Sequence, residues 1–307
     1  AVPTTAATSA SALGPIRSWL QRGLPCSAKF LHTLNRIADG GETPSAWRVF
    51  VDNRMDPGAI LMIKNNPRNP NRSEDHHRDS SAGDGLSQKH YEVCFYCDHT
   101  DVRAVVRRAC VLLRGMDQYA SFTFSGLAAL LLPVFEEYFA ALGVQKEWDN
   151  MCPIYALDEL NILPAHPSIY VPEGFLLARM DASWHAKVID DAWPFRDANS
   201  LGYIRESLNR FSNVGVFARD GNRLVGWVMT YSYGAIGMLH VCEEFRGRGF
   251  AKLLVVSLLQ QWFKEGWGCA PYCYIVDSNE ASKQLFSKNL GFNKVGDTFW
   301  AGFGRPK

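Results

Sequence analysis

Arg246-Gly247-Arg248-Gly249 stands directly in front of a long apolar run that begins at Phe250. Two glycines let a backbone take positive φ and approach a ligand closely. If a helix starts at about Phe250, its first-turn N–H groups lack internal partners and carry the positive end of the helix dipole. Amides, glycines and two guanidinium groups then make a phosphate cradle, and a diphosphate is its natural guest. A dinucleotide-binding unit would instead show GxGxxG after its first strand, with an acid about twenty residues on. Only Gly247-Arg248-Gly249 is present, late in the chain, and no GxxxxGK followed by Ser or Thr occurs. Taken alone, RGRG fits a glycine turn with two solvated arginines equally well; its place between a strand-like and a helix-like run favours the cradle.

The rest of the composition makes any anion site local. Lys and Arg number 32 against 31 Asp and Glu, a net charge of +1, so no global field points to nucleic acid or an anionic membrane. The longest apolar run, Gly126 to Phe135, is too short to span a bilayer. Eight cysteines form no dense framework and fit free thiols. Cys94-Phe-Tyr-Cys97 has ligand spacing, but no second CxxC follows and the pair sits in a strand-like run, so no metal is assigned. His76-His77 lies in a polar stretch and is read as solvated. No acid precedes Asp39 and the first residues are rich in Ala, Ser and Thr, which fits a mitochondrial transit peptide or a frayed leader before an amphipathic helix; the expected location is mitochondrial or cytoplasmic.

The elements that must hold the cradle follow from periodicity. WRVFV (47–51), AILMIK (59–64) and YEVCFYC (91–97) read as strands, and 101–113 as a helix capped by Asp101. Residues 65–89, whose one large aliphatic side chain is Leu86, read as a disordered loop. Three prolines between Leu160 and Pro172 suggest a boundary, giving domains 1–160 and 161–307. The second half reads as strand (174–180), helix (182–193), helix (201–211), and strands at 214–219, 224–232 and 236–242. The cradle helix, a strand at 271–276, a helix from Asn279 and a strand at 299–303 follow. Asp220-Gly221-Asn222 between apolar runs predicts a hairpin. The class is α/β, an α+β mixed sheet.

Arg246-Gly-Arg-Gly249-Phe-Ala251 matches the R/Q-x-x-G-x-G/A signature of GNAT acyl-CoA N-acyltransferases, and DSNEASKQLFSKNLGF (277–292) resembles the superfamily's second motif. WPFRDANSLGYIRESLNRF (193–211) and LPCSAKFLHTLNRIADGGETPSAWRVFVDN (24–53) are similar to stretches of the glycine N-acyltransferase family. The resemblance implies a catalytic GNAT fold in the C-terminal half and a related, degenerate, non-catalytic GNAT-like half before it. It also implies acyl-CoA as co-substrate, with no separate cofactor, and a small amine or amino acid such as glycine as acceptor. Pantetheine would pair with Leu239, His240 and Val241, and the diphosphate would rest on Arg246, Gly247, Arg248, Gly249, Phe250, Ala251 and Lys252. Asn279, Ser282 and Phe286 would face the pantetheine and thiol end.

The match departs from the family where protons move. The family's usual base positions fall at Ala235 and Gly237, and its usual tyrosine acid at Phe286, none of which can exchange a proton. The helix motif also carries one residue more than usual before Gly291-Phe292. His240 is the titratable side chain late in the pre-cradle strand, and is read as the catalytic base or as a structural histidine on the strand's other face. Tyr231, Tyr233 and Tyr274 are candidate acids. Trp184, Trp193 and Trp227 are expected in the core, and Glu243 and Glu244 at a solvated corner paired with Arg248. An arylalkylamine or peptide acceptor, or a CoA-binding module with little catalysis, remain the alternatives.

Overall fold

The computed structural model describes residues 10–40, 47–52, 57–65, 90–98, 101–116, 121–157, 170–197, 199–220, 223–265 and 269–305. The loop expected at 65–89, apart from Asn65, and the boundary expected at 160/161 lie outside them, as do His76 and His77. In chain order the elements begin with α1 (Ala10–Arg22), α2 (Ala28–Ala38), β1 (Trp47–Val51), β2 (Ala59–Asn65), β3 (His90–Cys97) and α3 (Val102–Met116). Then come β4 (Ser121–Ala128), α4 (Leu132–Ala140), β5 (Gln145–Met151), β6 (Ile154–Leu157), β7 (Phe175–Ala178), α5 (Ala182–Ala192) and α6 (Ser200–Arg210). The chain continues with β8 (Asn213–Ala218), β9 (Arg223–Thr230), β10 (Ile236–Val241), α7 (Phe250–Glu265), β11 (Tyr272–Tyr274), α8 (Glu280–Lys283), β12 (Phe292–Gly296) and β13 (Thr298–Gly304).

Two compact units result. One holds residues 1–23, 33–152 and 297–307, the other residues 24–32 and 153–296. The chain therefore passes between them more than once, and the last strand belongs with the first unit. Three strands that the sequence reading did not mark, β5, β6 and β12, flank these passages.

The first unit is built on a six-stranded sheet of order β1-β2-β3-β4-β13-β5. β3 and β4 run parallel, which requires a crossover, and α3 supplies it. Asp101 starts that helix as the sequence predicts, its Oδ1 accepting from the Ala104 N–H at 3.0 Å. β13 lies antiparallel to β4 on one side and β5 on the other. Its Phe303 ring sits 5.6 Å from Phe124 and 5.0 Å from Phe139, fully buried. Cys94 is buried here beside the Ser125 hydroxyl at 3.4 Å. Among the described residues no group of three His, Cys, Asp or Glu is placed to hold a metal ion, and no helix is long and apolar enough to cross a membrane.

The second unit has a seven-stranded sheet of order β12-β6-β11-β10-β9-β8-β7. Side-chain alternation, interrupted by the register shifts between β8 and β9 and between β9 and β10, assigns its two faces. Val228 and Ile236 pack with Leu254, Val255, Leu258 and Trp262 of α7. Trp227 and Met229 pack with Ile189 of α5 and with Ile204 and Leu208 of α6. α5 begins at Asp181, whose side chain accepts from the Ser183 and Trp184 amides. Trp227 is core, as expected, and Trp193 is partly so, but Trp184 is 78% exposed: its place on α5 faces away from the sheet.

Phe303→Ala should lower the stability of the first unit by about 3–5 kcal/mol, because it empties a ring-sized site in the middle of a sheet. Urea unfolding followed by circular dichroism measures it; a loss below about 1 kcal/mol would contradict the seating of β13.

Candidate active site

β10 and β11 are parallel neighbours joined through α7, yet they share one register pair, Ile236↔Cys273. The cause lies on the other edge of β10. There Gly237 pairs with Met229 and His240 with Trp227, so Met238 and Leu239 together oppose Val228 alone. This is a β-bulge, which bends the strand and raises its twist. Met238 absorbs the distortion with a φ of 49°, in the left-handed region that side chains disfavour. Beyond Ile236 the two parallel strands part.

The parted segment is the one that carries Leu239, His240 and Val241. The Cys242 amide donates to Val225 O on β9 at 2.9 Å. By strand alternation, Val241 then presents its N–H and C=O toward the β11 side. Arg246 reaches back, its Nε donating to that Val241 carbonyl at 3.0 Å. Leu239 and Val241 pack on the α7 face. His240 stands on the other face, its ring stacked on Trp227 at 4.5 Å and 20°. Half-burial is the larger cause that lowers its pKa, with the nearby Arg246 charge second. The imidazole is therefore neutral near pH 7.

A short 3-10 turn, Glu243–Phe245, carries the chain from β10 to the glycines. Gly247 has φ 75° and Gly249 φ 82°, and a Cβ added to either would meet nothing within 4 Å. Glycine is required there by backbone conformation, and the space a ligand would need is open. Arg246, Gly247, Arg248, Gly249 and Lys252 are exposed. Phe250 is buried, its ring 4.7 Å from Phe175, and pins the first turn of α7 to the sheet. The helix starts at Phe250 as the sequence predicts, and the first-turn amides of Phe250 and Ala251 have no intrahelical acceptor. Glu244 pairs with Arg223 at 3.1 Å, not with Arg248 as expected, because the β8–β9 hairpin brings Arg223 to this corner.

The second motif places its residues differently. Asn279 caps α8, its Oδ1 accepting from the Ser282 amide at 3.0 Å. Phe286 is buried edge-on to Phe292 at 5.1 Å and belongs to the core. The extra residue before Gly291 is taken up by π-helical turns over Gln284–Asn289, which widen the helix by one residue per turn.

An aromatic group stands where the family's base would project. A Cβ at Gly237 would overlap the Tyr231 ring. Tyr231 stacks between Tyr203 at 6.4 Å and Tyr233 at 5.2 Å, and the Tyr272 hydroxyl donates to the Tyr233 carbonyl. Burial, reinforced by the neighbouring tyrosines, drives the Tyr233 pKa well up, so it stays protonated. Sequence alone gave no sign of Met238 as a bulge residue, nor of Phe245 or Arg223 at the turn.

Residues 213–301 match the family model for FR47-like protein. This region runs from β8 into β13 and includes β9, β10, the glycine turn, α7, β11, α8 and β12. Similar solved structures cover nearly the whole chain. A Drosophila protein of 16% identity aligns over 93% of this chain and 89% of its own, with a TM-score of 0.69. A GCN5-related N-acetyltransferase from Sphaerobacter thermophilus, 13% identical, aligns over 89% and 86% with a TM-score of 0.57. A tandem GNAT protein from the clavulanic acid biosynthesis pathway, 16% identical, aligns over 97% and 96% with a TM-score of 0.54. The chain has a tandem GNAT fold. The FR47-like region occupies its C-terminal half. No curated protein sequence matches the chain.

Gly237→Ala should displace the Tyr231 ring and destabilise the second unit by about 1–3 kcal/mol, since the new methyl enters filled space. Thermal unfolding and tyrosine near-ultraviolet dichroism should both change; an unaltered protein would show that Tyr231 does not fill that place.

Proposed function

We propose that the protein is an acyl-CoA-dependent N-acyltransferase, with glycine or a similar small amine or amino acid as acceptor. The observation that carries the reading is the gap between β10 and β11 running down to a positive-φ glycine turn at the start of α7. An extended pantetheine arm can add to the free edge of β10 as a strand adds to a sheet, while the diphosphate rests on the amides from Gly247 to Lys252. The arm must displace Arg246 from the Val241 carbonyl, which frees that guanidinium for phosphate.

In the reaction the amine nitrogen bonds to the thioester carbonyl carbon and the C–S bond breaks. The amine proton goes to a base and the departing thiolate takes up a proton from an acid or water. Amides freed by the strand's parting are suited to hold the developing oxyanion. His240, neutral and half-buried on the α5/α6 face, is suited to accept the amine proton directly or through one water. Tyr231, Tyr233 and Tyr274 are candidates to protonate the thiolate, since Phe286 has no proton to give. A CoA-binding module with little catalysis is the second reading, favoured by that buried phenylalanine and by the missing side chain at Gly237.

With an acyl-CoA and glycine the protein should release free thiol and form an N-acylglycine, measured by thiol titration and mass spectrometry. Binding of CoA without turnover across a panel of acyl donors and amines would favour the second reading. Gly249→Glu should abolish CoA binding through both strain and charge.

The rate should rise with pH through a midpoint below 6.5, the ordinary histidine value, because the neutral imidazole is the active form and its pKa is lowered. His240→Ala should lose that limb and reduce kcat by about a hundredfold, with KM for acyl-CoA little changed. A full rate in His240→Ala would assign the ring a packing role against Trp227.

A further inference from the structure

We propose that Arg223 and Arg248, gathered on the ring of Phe245, form a second anion subsite beside the glycine turn. It takes the ribose 3′-phosphate of coenzyme A and makes the protein selective for that form over dephospho-coenzyme A. The inference deepens the acyl-CoA reading of the same site and rests on it.

The two guanidinium carbons lie 4.9 Å (Arg223) and 5.3 Å (Arg248) from the Phe245 ring centroid. Each is attracted to the ring, which holds two positive charges at one corner and raises the potential that an anion meets there. Phe245 is itself held edge-on by Phe175 at 5.8 Å, so the shelf has a fixed base. Arg223 reaches it from the start of β9, far along the chain from the turn, so the pairing is a product of the fold.

The charge at this corner is not balanced internally. Arg223, Arg246, Arg248 and Lys252 face Glu243 and Glu244, four cations against two acids, which leaves two positive charges. Arg246 is engaged along the strand and, with the helix amides and Lys252, serves the diphosphate. Among the described residues Arg248 has no acidic partner, and Arg223 has a single 3.1 Å contact to Glu244 between side chains more than half exposed. Such a solvated pair is weak and readily exchanged. A phosphomonoester carries about −1.5 to −2 charge near pH 7 and three acceptor oxygens, and two planar guanidiniums with little freedom left to lose are suited to it.

Calorimetric titration with CoA and with dephospho-CoA tests this. The wild-type protein should bind CoA about tenfold or more tightly than dephospho-CoA, as charge-assisted hydrogen bonds to one phosphate require. Arg223→Gln, altered at an exposed position outside the diphosphate cradle, should lose most of that preference while its affinity for dephospho-CoA stays within about twofold of wild type. Equal affinities in the wild type, or a preference that survives Arg223→Gln undiminished, would overturn the subsite and leave the acyl-CoA reading standing. Binding of neither compound would overturn both.

Discussion

The second unit depends on a mismatch of one residue. Met238 and Leu239 oppose Val228 alone, and the bend this forces separates β10 from the strand it should accompany. In a sheet otherwise closed on both faces by helices, it leaves main-chain hydrogen-bonding groups without a neighbouring strand. Buried backbone groups left in that state are costly, so an interior gap in a sheet is either filled by water or made for a guest. The same bend decides which way the side chains after it point. Leu239 and Val241 go to the α7 layer, while His240 goes to the layer of α5 and α6.

Packing then narrows the chemistry available at the gap. The stacked tyrosines press against Gly237 so closely that no side chain fits there. In the acyl-transfer reading proposed above, a proton acceptor would come from a different place on the strand, and the His240 ring stacked on Trp227 is a group whose pKa burial lowers. The backbone and the aromatic layer line the gap, Arg223, Arg246 and Arg248 stand in water at its rim, and one cation is buried in the aromatic layer, Lys29, whose Nζ lies 4.5 Å from the Tyr233 ring centroid.

The glycine turn and helix start were legible in the sequence because their physics is local. Two glycines before an apolar run specify a positive-φ turn and a helix start with few alternatives, and Gly247 and Gly249 adopt those conformations. Strands β1 to β3 and β7 to β10 were legible from dense β-branched and aromatic runs. β5 was not, since Gln145–Met151 is almost wholly exposed and polar, with pairing to β13 in place of an apolar pattern. β6 is four buried residues, too short to show a period. The bulge was hidden because IGMLHV reads as any strand does. Its register is set by β9, and register is not a property of one segment. The Arg223–Phe245 contact was hidden for the same reason. The extra residue in the motif after β11 was visible, but not the π-helical geometry that absorbs it.

The seating of β13 between β4 and β5 bears on how the chain is made. During synthesis α1 to β5 emerge first, but their sheet has an open slot until residues 298–304 leave the ribosome. Until then β4 and β5 present bare edges, the surface most prone to pair with a neighbouring chain. The first unit thus begins before the second and closes after it, so its bare edges are exposed through the whole time the second unit takes to appear.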